Sequence, residues 1–172
     1  MEQRKVGQTD LAIDVLGLGG APLGGNFVDL GYAQAEELIQ AAKDAGIGYF
    51  DTAPWYGFGR SERVMGDVLR GGDYVLSDKV GRLLKPGAVD NPGDFGMVDP
   101  LPFHVIYDYS YDGIMRAFED NLQRLGLERI DILLAHDIGV MTHGDENARH
   151  FRDLTEGGYR AMDALRRAGQ VK

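Results

Sequence analysis

The sequence predicts an α/β protein built on parallel strands, and three observations carry that expectation. Four short apolar runs alternate with four stretches of 3.6-residue helical periodicity. The runs are continuously apolar, as in strands covered on both faces. Residues able to do chemistry gather just past the ends of the runs, where parallel α/β folds keep their sites.

The elements follow in order. RKVGQTDLAIDV, at the N-terminus, predicts a small hairpin turning around Gly7 to Asp10. VLGLGG (15–20) is a short buried strand ending in a glycine turn. Ala35, Leu38, Ile39, Ala42 and Ala45 mark the first helix, with Gly46 as its stop. GIGYFDT (46–52) is the second strand, and Ser61 is placed to cap the helix carrying Val64, Met65, Val68 and Leu69. YVLSDK (74–79) is the third strand. From Val80 to Ser110 four prolines and several glycines predict a long irregular loop, whose Phe95, Phe103, Ile106 and Tyr107 suggest an ordered lid. Asp112 is placed to cap the third helix, built on Ile114, Phe118, Leu122 and Leu125 and ended by Gly126. RIDILLAHD (129–137) is the fourth strand, and a fourth helix is expected from about Asp153 to Ala168.

Alternating strands and helices imply right-handed crossovers. A doubly wound open sheet and part of a (β/α)8 TIM barrel both satisfy the pattern. A complete barrel takes about 250 residues, whereas 172 residues provide four units. GQVK follows a helix end, where a fifth strand would begin. The expectation is therefore a single domain over residues 1–172, the hairpin and first four units of a barrel, with unpaired sheet edges open to self-association.

Composition narrows the function classes. The net charge of −9 argues against a nucleic-acid or anionic-membrane surface. There is no cysteine, hence no disulfide and no thiolate nucleophile. No apolar run approaches the ~18 residues of a membrane span, and MEQRKVGQTD lacks a signal-peptide core. A cytoplasmic setting is the expectation.

The strand ends offer Gly19, Gly20, Ala21 and Pro22, then Asp51 with Tyr56 in the following loop, then Asp78 and Lys79, then His136 and Asp137. Each has an ordinary explanation alone: a turn cap, a half-buried aromatic, a solvated charge, a satisfied core histidine. GLGG lacks the full spacing of a dinucleotide fingerprint. The coincidence of Asp, Tyr, Lys and His on one rim is what carries weight. A free phenol titrates near pH 10, and an adjacent ammonium favours its ionised form. An aspartate keeps the lysine charged and oriented, and a histidine can hydrogen-bond a substrate oxygen. The set can move a proton to or from a carbonyl or hydroxyl oxygen, and such chemistry implies a nicotinamide hydride partner, NADP or NAD.

DTAPWYGFGRSE resembles the DTA…YG…SE signature of the aldo-keto reductase family. LSDKVGR resembles that family's lysine-bearing third strand, ILLAHD its histidine-bearing fourth, and RKVGQTDLAIDVLGLGGAPLGG its N-terminal hairpin and first strand. Within the family, VIYDYSYDGIMRAFEDNLQRLGLERIDILLAHD looks most like the aldose dehydrogenases, such as D-threo-aldose 1-dehydrogenase or L-fucose dehydrogenase, with pyridoxal 4-dehydrogenase close by. The resemblance implies a catalytic tetrad of Asp51, Tyr56, Lys79 and His136. It implies cofactor contacts at Gly20, Ala21 and Asp51, and a substrate pocket with Trp55, Tyr56 and His136. It implies oxidation of a sugar hemiacetal to a lactone, or reduction of a carbonyl, on a small-molecule substrate. The family grips its cofactor largely through strands five to eight, so the 172 residues are expected to bind it weakly or not at all alone. Two other classes are set beside this one: a non-catalytic binding or regulatory relative, and a metal-dependent barrel hydrolase using His104, His136, His143 and His150. No His-x-His pair ends a strand, so no metal ligands are assigned.

Overall fold

A computed structural model describes residues 1–172. The N-terminal hairpin pairs β1 (Gln3–Lys5) with β2 (Ala12–Asp14) antiparallel. Asp14 ties it to the main sheet by accepting the N–H of Gly48, one residue before the strand that begins at Tyr49. Four parallel strands follow: β3 (Leu18–Gly19), β4 (Tyr49–Asp51), β5 (Val75–Val80) and, after an excursion, the strand Ile132–Ala135 (β8). The sheet order is β3-β4-β5-β8. Helices α1 (Tyr32–Asp44), α2 (Arg60–Leu69) and α3 (Tyr111–Leu125) fill the crossovers. One continuous core lies between strands and helices, with Phe50 and Leu76 meeting Ile39, Met65, Leu69, Ile114 and Leu125, all essentially unexposed. β3 and β8 each pair on one side only, and Leu134, level with Lys79 across β5 and β8, is exposed.

Gly66 shows how tightly α2 and α3 meet. A methyl there would fall 1.8 Å from the carbonyl oxygen of Leu125, the last residue of α3. Ala is the better helix former by about 1 kcal/mol, but close approach of the two backbones decides the residue.

The structure corrects four local expectations. The stretch 80–110 is not irregular throughout: β6 (Arg82–Pro86) and β7 (Phe103–Tyr107) form an antiparallel hairpin, with Arg82 opposite Tyr107 and Pro86 opposite Phe103. The prolines lie at the end of β6 or between the strands, so they leave the ladder intact. Ser61 does not cap α2. Gly59, at φ +94, holds that place, and Ser61 is buried with its hydroxyl 2.8 Å from that of Thr52. The α3 cap is Ser110, whose hydroxyl accepts from the N–H of Gly113 at 3.1 Å, and Asp112 stands in the first turn.

The last helical region begins earlier than Asp153. A turn, α4 (Val140–His143), leads to α5 (Asn147–Asp153), and a π-helical turn over Leu154–Gly158 joins α5 to α6 (Tyr159–Arg167). Gly157 and Gly158 press this turn against backbone near the start of α3, where added methyls would fall 2.8 Å from Tyr111 N and 2.6 Å from Tyr109 O. No helix is long and apolar enough to cross a membrane.

Candidate active site

The side-chain alternation of β5 sorts its charged residues. Ser77 and Lys79 share one face, and Leu76, Asp78 and Val80 share the other. Asp51 lies beside Ser77 across the β4–β5 ladder. Its carboxylate accepts from the Ser77 hydroxyl at 2.6 Å and from the Lys79 ammonium at 2.6 Å. Lys79 donates also to the Thr52 carbonyl at 2.9 Å. Burial works against the ammonium, but the hydrogen bond and charge of Asp51 outweigh it, so the Lys79 pKa ends above its ordinary value. Lysine is therefore a fixed positive charge here, with its nitrogen 4.9 Å from the centre of the Tyr56 ring.

Tyr56 sits in the tight turn after β4, and glycines bring it there. Gly57 is left-handed at φ +63, and a methyl on it would fall 2.0 Å from the carbonyl oxygen of Gly24. A methyl on Gly24 would fall 2.3 Å from the Tyr56 carbonyl carbon. The loops after β3 and β4 thus touch backbone to backbone at Tyr56 and Gly57.

His136 follows β8. Its N–H donates to Val80 O at 3.0 Å, and its carbonyl accepts from the buried Tyr109 hydroxyl at 2.6 Å. Its ring meets that of Tyr56 edge to face, centres 6.0 Å apart. Burial, and then the charge of Arg82, push its pKa down to about 3. The ring is neutral at physiological pH and can donate one hydrogen bond without carrying charge.

Asp51, Tyr56, Lys79 and His136 thus stand together on one rim. Asp78 does not join them. It is fully buried on the opposite face, accepts the Lys79 N–H at 2.8 Å, and belongs to a charge cluster under the helices. There Arg124 grips both oxygens of the buried Glu62 at 2.7 and 3.0 Å. The Asn121 amide, which also accepts from Arg124, donates to the Lys79 carbonyl at 2.9 Å. Lys79 is held on both sides of the sheet.

Trp55 sits edge-on to Phe58 and Phe95, at 5.6 Å from each, and carries the Arg82 guanidinium 4.6 Å over its ring. It joins the long 80–110 excursion to the rim. Gly20 and Ala21 are occupied within the protein. Gly20 N–H donates to Asp51 O at 2.7 Å, and the Ala21 carbonyl accepts from Gly24 and Asn26. A methyl on Gly20 would fall 2.5 Å from Ser61 Oγ, so this glycine serves close strand–helix packing. The four non-glycine residues with positive φ, Phe27, Phe58, Asp99 and Asp137, all lie in loops beyond the strand ends, where strained backbone commonly marks function.

Three contributors escape a sequence reading. Ser77 was available from alternation, two residues before Lys79. Arg82 lay inside the KVGR motif without a role. Asn121 reaches the site from 42 residues away and left no local signal. No group of three or more His, Asp or Glu side chains is placed to hold a metal ion. His143 and His150 lie against each other with rings tilted at 43° and 4.4 Å between centres.

A phenol between a fixed ammonium and a neutral imidazole can pass a proton to or from one oxygen held between them. The sequence model of the Aldo/keto reductase family matches residues 15–172. The chain is 45% identical to pyridoxal 4-dehydrogenase of Microbacterium luteolum, covering 99% of this chain and 54% of that protein. It is 37% identical to D-threo-aldose 1-dehydrogenase of a Pseudomonas species, covering 94% of this chain and 49% of that protein. The holo form of an aldo-keto reductase from Bacillus halodurans superposes with a TM-score of 0.70 at 26% identity, covering 99% of this chain and 48% of that one. The chain thus spans about half the length of the relatives it matches, and its strands and helices are those of the first half of a (β/α)8 barrel. On the sequence match and the superposed fold together, the chain belongs to the aldo/keto reductase family.

Proposed function

We propose that this chain carries the proton-transfer residues of an NAD(P)-dependent oxidoreductase acting on a small carbonyl compound or its hemiacetal. The observation that carries the reading is the placement of Lys79. Its nitrogen is pinned to Asp51 at 2.6 Å and to the Thr52 carbonyl at 2.9 Å while standing 4.9 Å from the Tyr56 ring.

In reduction, Tyr56 gives its phenolic proton to the substrate oxygen, and Lys79 stabilises the phenolate left behind. In oxidation, Tyr56 takes the hydroxyl proton back. His136, neutral throughout, donates a hydrogen bond to the same oxygen and fixes the substrate's orientation. Asp51 keeps Lys79 charged and aimed. The donor set fits the reacting end of a nicotinamide, because it handles protons and holds no hydride source of its own. When bound, NADP or NAD supplies the hydride in one direction and accepts it in the other. Asp51 and the turn at Gly20 and Ala21 would border it, and Trp55 would wall the substrate.

Likeness to an aldose dehydrogenase supports oxidation of an aldose hemiacetal to a lactone. The complete Asp51, Tyr56, Lys79 and His136 set favours turnover over a purely binding role. The test of function is nicotinamide absorbance with the protein that carries this chain. Reduced nucleotide should accumulate with aldoses, and be consumed with aldehydes. No change with either class and either nucleotide would remove the reading.

A further inference from the structure

Asp137 follows His136 directly and stands in the left-handed backbone region, at φ +44. Aspartate tolerates that region better than most residues, yet strain remains. The turn folds its carboxylate back over the rim, so that Oδ2 lies 3.5 Å from Nε2 of His136. Arg82 holds it there, donating to the same oxygen at 2.8 Å. Arg82 has little freedom of its own. Its side chain is 3% exposed, and its guanidinium stands 4.6 Å over Trp55 and 5.5 Å over Tyr107. The Asp137 side chain, by contrast, is 60% exposed. Both contacts use Oδ2, and neither engages Oδ1.

A buried, aromatic-clamped arginine thus presents a carboxylate beside the imidazole that faces the reacting oxygen. We propose that Asp137 is a specificity-determining residue whose Oδ1 accepts a hydrogen bond from a hydroxyl on the carbon next to the reacting carbon. The substrate class is then a 2-hydroxy aldehyde or the matching hemiacetal. This deepens the proposed function and rests on His136 facing the reacting oxygen. A substrate oxygen hydrogen-bonded to His136 Nε2 stands beside the Asp137 carboxylate, whose Oδ2 is 3.5 Å from that nitrogen, and the hydroxyl on the adjoining carbon is the substrate donor closest to it. Arg82 cannot serve in its place, because it has no acceptor for a hydroxyl proton. Asp78, the other carboxylate adjoining the set, faces the helices.

The test compares lactaldehyde with propanal, which differ by that one hydroxyl, as substrates of the protein that carries this chain. The readout is the ratio of their kcat/KM values, in which any misfolded fraction cancels. Asp137→Gly removes the carboxylate without straining a positive φ, and Asp137→Asn keeps its shape with a weaker acceptor. Because Asp137 is partly solvated, the effect is that of one charge-assisted hydrogen bond at its lower end. The preference for lactaldehyde should fall about tenfold in Asp137→Gly, and by less in Asp137→Asn. Trp55, the only tryptophan, reports by its emission whether the Arg82 stack persists. A ratio within about twofold of the parent in both variants, well below the worth of such a bond, overturns the inference alone. A parent that turns over aldoses but reduces neither of these aldehydes also overturns the inference alone, whereas no change in nicotinamide absorbance with aldoses or aldehydes overturns the proposed function, and the inference with it.

Discussion

The Lys79 ammonium and the Asp51 carboxylate meet at 2.6 Å across neighbouring parallel strands, two residues beyond the register pair of Asp51 with Ser77. The pair is mostly shielded, with side chains 13% and 28% exposed, which makes it stronger than a surface ion pair. Asp51→Asn should therefore leave Lys79 less well aimed and less firmly charged. Turnover should drop about 10- to 100-fold, the worth of one charge-assisted hydrogen bond. Unchanged kcat would show that Asp51 does not act through Lys79.

His136 offers a pH signature. Burial, with the Arg82 charge second, holds its pKa near about 3, so the ring stays neutral across the usual assay range. The pH profile of kcat/KM should carry no inflection near pH 6.5, where a free imidazole titrates. The linked stability has a definite sign. A depressed folded pKa gives stability that is full above the unfolded value and is lost as pH falls towards the folded one. An inflection near neutrality that vanishes in His136→Gln would contradict this.

Asp78 and Glu62 predict the opposite slope. Burial, then the neighbouring Glu62 charge, holds Asp78 well above the carboxylate range. Burial raises Glu62 as well, with Arg124 opposing. Raised folded pKa values contribute stability that is present at low pH and lost as pH rises through them. Asp78→Asn keeps an oxygen for the Lys79 N–H and removes one of two carboxyls near a single guanidinium. Urea unfolding should show a smaller loss of stability between about pH 4 and pH 8 than in the parent. Equal slopes would count against a coupled buried pair.

Gly24→Ala tests whether loop contact sets the phenol's position. The new methyl would fall 2.3 Å from the Tyr56 carbonyl carbon, so Tyr56 has to move. A shift of about 1 Å costs about 100-fold in rate, and crowding costs about 1–3 kcal/mol of stability. A fully active variant would show that the Tyr56 backbone is not held by this contact.

Much of this site is readable without coordinates, and the reasons are local. The apolar runs end in Asp51, Lys79 and His136, and strand ends are where parallel folds keep polar groups. The failures are local too. Ser61 has the chemistry of a helix cap, but Gly59 at φ +94 caps the helix two residues earlier and leaves that hydroxyl turned inward to Thr52. The β6–β7 hairpin is masked by Pro86 and by the glycine-rich chain between its strands. Arg124 and Glu62 lie 62 residues apart, and only the packing of α2 on α3 joins them. Ser77 and the outward turn of Asp78 follow from strand alternation alone.

The central claim is that Tyr56 moves the proton while other groups hold the nucleotide. Tyr56→Phe in the protein that carries this chain, with kcat and nucleotide Kd measured together, tests it most directly. The expected result is a loss of at least about 100-fold in kcat, the scale of general acid–base catalysis, with Kd within about twofold of the parent, well short of the tenfold that 1.4 kcal/mol of binding energy would give. Retained turnover, or loss of turnover explained by loss of nucleotide binding, would contradict it.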